Sequence, residues 1–104
     1  MIRKGFLMTL KPGCQEEYER RHHPAWAEVE TVLQEHGVHN YSIFLDRETD
    51  QLFGYAEIES EALWEQIGQA ESCRRWWSYM KELMLTNADD SPVTVALAEV
   101  FHLD

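Results

Sequence analysis

The chain has 104 residues, enough for one domain and one modest core. Its 19 acidic and 9 basic side chains leave a formal charge of −10, which repels phosphate backbones and anionic membranes and so argues against nucleic-acid and membrane partners. The same field disfavours an anionic substrate and suits a neutral small molecule.

Taken in chain order, Ile2 to Leu10 alternates as a strand, and Pro12–Gly13 breaks it. From Cys14 to His36 the apolar period is helical, with Gly37 as the C-terminal stop. Pro24 interrupts that span, and two readings are open. The proline either kinks one long helix or begins a second helix after a short break. Val38 to Asp46 alternates again, placing His39, Tyr41, Ile43 and Leu45 on one face. Arg47 to Asp50 is a hairpin turn without glycine, and Gln51 to Glu59 returns as a third strand. Ser60 and Ser72 are positioned to cap two further helices, and Val93 to Leu103 reads as the last strand.

The order β-α-β-β-α-β, with the second helix in two pieces, predicts a ferredoxin-like α+β sandwich spanning 1–104 as a single domain. Helices then cover one face of an antiparallel sheet. The other face should be polar, yet the last strand is apolar on both sides. A second copy of the same sheet is the simplest cover, so a homodimer is expected. No stretch is long and apolar enough for a transmembrane helix, and the N-terminal residues do not read as a signal peptide. Cys14 and Cys73 lack metal-ligand spacing and are expected to be reduced thiols in a cytoplasmic protein.

The chemistry concentrates in "EYERRHHPAWAEVE", Glu17 to Glu30. With Tyr18 set at zero, a helical projection puts His22 at about 40°, inside the inward stripe, and His23 at about 140°, pointing away. Histidine titrates near neutrality, which suits it to general acid–base work. Spacing alone equally allows a buried histidine satisfied by a neighbouring carbonyl. Trp76 and Trp77 are adjacent and so diverge by about 100° on a helix; Trp76 is central to the inward set of Cys73, Met80 and Leu83, and Trp77 is marginal. Such a pair is either core packing or an aromatic wall for the C–H face of a sugar. Trp26 and Trp64 are read as core, and Tyr41 as either a cross-strand contact or a lining residue. No nucleophile motif, phosphate loop or metal-ligand spacing is present, which leaves proton transfer or plain binding, with no metal.

Four separated blocks, "EEYERRHHPAWAEVE", "HGVHNYSIFLD", "CRRWWSYMKELM" and "NADDSPV" with the closing strand, resemble the L-rhamnose mutarotase family over essentially the whole chain. The resemblance implies a dimeric, cytoplasmic enzyme that interconverts the α and β anomers of L-rhamnose without a cofactor. It puts the proton-donor histidine at His22, sugar-binding tyrosines at Tyr18 and Tyr41, and tandem tryptophans at Trp76 and Trp77. His23 departs from the family pattern, in which a polar residue such as Asn is familiar. Two other readings accompany this one: a non-catalytic sugar-binding module on the same fold, and a small oxygenase or isomerase, since fold does not fix function.

Overall fold

A computed structural model of the chain describes residues 1–104. The elements are β1 (Ile2–Thr9), α1 (Gln15–Arg21), α2 (Ala27–Glu35), β2 (Val38–Asp46), β3 (Gln51–Ile58), α3 (Glu61–Gln66), α4 (Glu71–Met80) and β4 (Val95–Leu97). Short 3₁₀ turns follow α3 and α4. All pairings are antiparallel, in the spatial order β2-β3-β1-β4, which is the expected ferredoxin-like sandwich.

The long helical span of the first half is two helices. Backbone N–H groups of His22 and His23 bond three residues back, to Glu19 and Arg20, in a tightened last turn. Pro24 then lies in the connection, after a cis His23–Pro24 bond, and α2 starts at Ala27. The proline therefore neither kinks a continuous helix nor occupies the first turn of the next. Its missing N–H and its ring are incompatible with a helix interior, and the chain stops instead. Charge supports α1 locally: Glu16 and Glu17 sit at its start, and Arg20 and Arg21 at its end, each complementing the helix dipole. Gly37, at φ +75°, closes α2 as expected.

Other boundaries also differ. Ser60 caps α3 by accepting from the Leu63 N–H at 3.0 Å, as expected. Ser72, however, lies within the first turn of α4, and Ala70 occupies the N-cap position without a side-chain bond. The hairpin turn has its positive φ at Asp50, +61°, the role a glycine would usually fill. In β2 a register shift lies between His39 and Ser42, with Asn40 at φ +48°. This bulge breaks the alternation, so His39 does not share a face with Tyr41. Tyr41, Ile43 and Leu45 pack on the core, whereas His39 is exposed and pairs with Glu59 at 2.9 Å. The last strand is far shorter than Val93–Leu103. Only Val95–Leu97 pair with β1, and Glu99 meets Arg3 through a side-chain ion pair at 2.8 Å instead of a ladder bond.

Two packed clusters lie between helices and sheet. The first holds Phe6, Met8, Leu10, Tyr18, Leu52, Met80, Leu83 and Met84; the second holds Val38, Ala56, Ile58, Ile67 and Cys73. Tyr41 and Trp64 touch both, so they join the halves of the core. Phe6 lies over Gly54, where a Cβ would come within 2.4 Å of two ring carbons. Gly54 thus makes room for the ring that meets Tyr41 edge-on. On the opposite face the register aligns Phe44, Phe53, Leu7 and Val95 in one row across all four strands. Phe44 and Val95 in that row are 63% and 56% exposed, so the apolar outer face is real and uncovered within one chain.

Candidate active site

Tyr18 faces the sheet from the middle of α1 and is buried in the first cluster. One turn later His22 occupies the C-cap of α1, where its Nδ1 lies 2.8 Å from the Tyr18 carbonyl oxygen. A carbonyl only accepts, so Nδ1 carries hydrogen and Nε2 is the free ring nitrogen. His36 makes the same contact at the end of α2, to the Val32 carbonyl at 2.8 Å. That bond by itself is a helix-end device, the satisfied-histidine arrangement the spacing allowed.

What sets His22 apart is its surroundings. Its ring centroid lies 4.5 Å from that of Tyr18 and 5.3 Å from Trp76, which meets it nearly edge-on at 86°. Burial lowers its pKa below the ordinary 6.5; the Tyr18 carbonyl opposes that shift, and the neighbouring His23 adds to it. The resting imidazole is therefore neutral at neutral pH, with a lone pair on Nε2. Protonated, it is a stronger acid than a free histidine.

A cleft of about 300 Å³ opens beside the imidazole, at the lower end of the range for small-molecule sites. Tyr18, Glu19, His22 and His23 form its α1 side; Ile43, Leu45 and Arg47 form its β2 side, and fully buried Leu52 also lines it. His23 is exposed, as the projection has it, but it borders this cleft. Glu19 and Arg47, 3.5 Å apart, bring opposite charges to the rim of a strongly acidic molecule.

The two tyrosines differ from ordinary core phenols. Neither hydroxyl is hydrogen-bonded within the chain, and neither is sealed away from solvent. Each therefore keeps its donor and acceptor unused within the chain, and Tyr18 does so at the wall of the cleft. Burial pushes both pKa values well above the ordinary 10, with Tyr41 raising Tyr18 further, so both stay protonated. A tyrosinate base is excluded at neutral pH.

The tandem tryptophans separate. Trp76 joins a ring assembly with His22, Trp26 and Tyr79, at centroid distances of 5.3, 5.2 and 5.8 Å. Trp77 packs against the second cluster, its ring edge 2.9 Å from where a Cβ on Gly68 would stand. Structure therefore brings Tyr18, His22 and Trp76 into ring contact, packs Tyr41 between the two clusters beside Phe6 and Trp64, and turns Trp77 toward the far half of the core; of the five, Tyr18 and His22 line the cleft. Sequence reasoning missed Glu19 and Arg47. Glu19 carries a weak signal, three residues before His22 on the same helix; Arg47, from the β2–β3 turn, carries none.

The fold and this cleft define a ferredoxin-like α+β domain with a histidine held among aromatic rings. At this fold the structural likeness extends to an antibiotic biosynthesis monooxygenase, with a TM-score of 0.64 and 16% identity over 96% of this chain and 99% of that one. That level of identity establishes the fold alone. The family model for L-rhamnose mutarotase, by contrast, matches residues 3–103, and the chain belongs to that family. It is 59% identical to an L-rhamnose mutarotase of Opitutus terrae and 55% identical to one of Pectobacterium carotovorum, each aligned over the full length of both chains. The crystal structure of L-rhamnose mutarotase FA22100 from Formosa agariphila superposes with a TM-score of 0.91 at 35% identity, again covering both chains completely.

Proposed function

We propose that this protein interconverts the α and β anomers of L-rhamnose by opening and closing the pyranose ring. The observation that carries this reading is the match to the family over 100% of the chain, joined to an imidazole whose free Nε2 belongs to a residue lining the cleft. Ring opening requires a proton delivered to the ring oxygen while the anomeric hydroxyl loses one. Rotation about the C1–C2 bond of the open aldehyde and reclosure give the other anomer. No electrons are exchanged and no group is carried away, so the chemistry needs no cofactor.

Protonated His22 is the acid toward the ring oxygen, giving up its Nε2 proton while Nδ1–H stays bonded to the Tyr18 carbonyl. After donation, the Nε2 lone pair recovers the proton as the ring recloses. Such a group contributes about 10²- to 10⁴-fold. The hydroxyls of Tyr18 and Tyr41, which lack partners in the chain, hold sugar hydroxyls. Trp76 covers the apolar face of the sugar beside His22, and Trp77 acts from further back, in the second cluster that also supports Tyr41. Since both tyrosines stay protonated, water or a carboxylate accepts the anomeric proton.

The active molecule in this reading is a homodimer, supported by the apolar row Phe44–Phe53–Leu7–Val95 on the face that the helices leave bare. It works in the cytoplasm in L-rhamnose utilisation, consistent with two cysteines that are both free thiols. No helix is long and apolar enough to cross a membrane.

The test is His22→Ala, followed by saturation-transfer NMR of L-rhamnose. A folded variant that exchanges anomers at the wild-type rate would sink the catalytic assignment. A monomeric mass at micromolar concentration would sink the dimer.

A further inference from the structure

Arg21 is the residue before His22, and its side chain is only 9% exposed despite its charge. A guanidinium so enclosed is tolerated only when its donors are matched. Here its Nε donates to Glu17 Oε2 at 2.6 Å, one Nη to the Tyr79 carbonyl at 2.7 Å, and the other Nη to Glu82 Oε1 at 2.6 Å. Its central carbon also lies 4.2 Å from the centre of the Tyr79 ring. Glu17 belongs to α1, Tyr79 to the end of α4, and Glu82 to the turn that follows. Two of the three donors thus tie the end of one helix to the end of another, while the third anchors the guanidinium to its own helix.

The tie leads back to the imidazole. Tyr79 stacks on Trp26 at 5.2 Å and 22°, Trp26 meets Trp76 at 5.2 Å and 74°, and Trp76 meets His22 at 5.3 Å. One peptide bond closes the circuit from His22 to Arg21. The Tyr18 carbonyl fixes the tautomer of His22, but it belongs to the same helix and cannot fix where that helix end sits relative to Trp76. Arg21 spans the two through polar contacts. Its Nε and both Nη atoms already donate to Glu17, Tyr79 and Glu82, so the guanidinium is engaged within the chain and is not offered to a substrate.

We infer that Arg21 is a positioning residue for the mutarotase reaction, clamping the end of α1 to the end of α4 so that His22 is held against the edge of Trp76 beside the cleft. The inference rests on the acid role proposed for His22. Glu17 is committed to this clamp and to Arg20, which hold its carboxyl near a pKa of about 2, so it remains an anionic anchor and not a proton carrier.

The experiment compares wild type, Arg21→Lys, Arg21→Met and His22→Ala. The two Arg21 variants differ in charge, but neither provides a planar fork able to reach two carboxylates and a carbonyl together. The readouts are anomer exchange across a series of L-rhamnose concentrations, circular dichroism, and the NMR titration of the His22 imidazole. Charged or titratable groups around that imidazole are Tyr18 and Glu19 on α1, His23 just beyond its end and Arg47 across the cleft, all unchanged in the variants.

A misplaced catalytic group can cost about 10²-fold, so maximal exchange in folded Arg21→Lys should fall about tenfold or more. Half-saturation should stay within about twofold, because the clamp does not bind sugar. The His22 titration should rise toward its ordinary value as water reaches the loosened ring. Wild-type exchange and an unmoved His22 titration in folded Arg21→Lys, with His22→Ala inactive, would overturn the positioning role while leaving the acid role intact. Activity lost only in proportion to the unfolded fraction would also overturn it. Active His22→Ala would instead remove the reading on which the inference rests. Should Arg21→Met fail to fold, Arg21→Lys carries the test.

Discussion

Gly54→Ala probes how tightly the core is coupled to the site. Gly54 lies opposite Phe6 in the β1–β3 pairing, and the Phe6 ring occupies the space a side chain there would fill. An added Cβ would stand 2.4 Å from two carbons of that ring and 2.9 Å from a third, whereas ordinary contact begins at 3.4 Å. The ring must therefore retreat by about 1 Å. It has little freedom to do so, because Phe6 is 6% exposed and lies between Trp64 at 5.8 Å and Tyr41 at 6.1 Å. Overpacking of this kind costs about 1–3 kcal/mol. For a chain of this size that lowers the thermal midpoint on the order of 10 °C. Displacement of Phe6 also pushes on Tyr41, so half-saturation for L-rhamnose should rise in the molecules that remain folded. Calorimetry and saturation-transfer NMR read the two effects. A thermal midpoint within about 1 °C of wild type would refute the packing argument.

Four further outcomes are expected. Tyr18→Phe and Tyr41→Phe should each weaken L-rhamnose binding by about 0.5–1.5 kcal/mol with little loss of stability, since neither hydroxyl has a partner in the chain; a marked fall in the denaturant midpoint would count against this. The pH profile of kcat/KM should fall as pH rises through a His22 pKa that lies below 6.5, because the donor form exists only below that pKa; a profile that rises there would make His22 a base. By the same shift, neutral His22 favours the folded state: the contribution is complete above 6.5 and is lost as pH falls through the depressed pKa, and His22→Gln should abolish that component of the urea midpoint. Burial pushes the Cys73 thiol up to about 11, so iodoacetamide at pH 8 should alkylate Cys14 and spare Cys73 until the protein is unfolded.

Much of the fold was legible because periodicity is local. The strands of the central hairpin begin where alternation begins, and Ser60 and Gly37 punctuate their helices for stereochemical reasons contained in a few residues. Errors arose where a distant partner decides. His39 and Tyr41 are two apart and read as neighbours on one face, yet the bulge against β3 turns His39 out. Val93 to Leu103 alternates as one long strand, but only three residues find a place beside β1. Alternation records which side chains could share a face; it does not record whether a neighbouring backbone is available to pair.

The site divides in the same way. Tyr18 and His22 are one helical turn apart, so their proximity follows from the sequence, as does the divergence of Trp76 from Trp77. Which tryptophan meets the imidazole is a matter of how α4 lies against α1, where Tyr18 and Met80 share a packed cluster and Arg21 reaches Tyr79 and Glu82 across 58 and 61 residues of chain. The sequence by itself determined the family, the order of elements and the imidazole to suspect, because these reside in residue types at short spacings. Tertiary structure decided which tryptophan meets that imidazole, that burial raises both tyrosine pKa values, and that an arginine with a side chain only 9% exposed ties two helices together beside it. Those properties depend on desolvation and on contacts between distant segments, which exist only once the chain has folded.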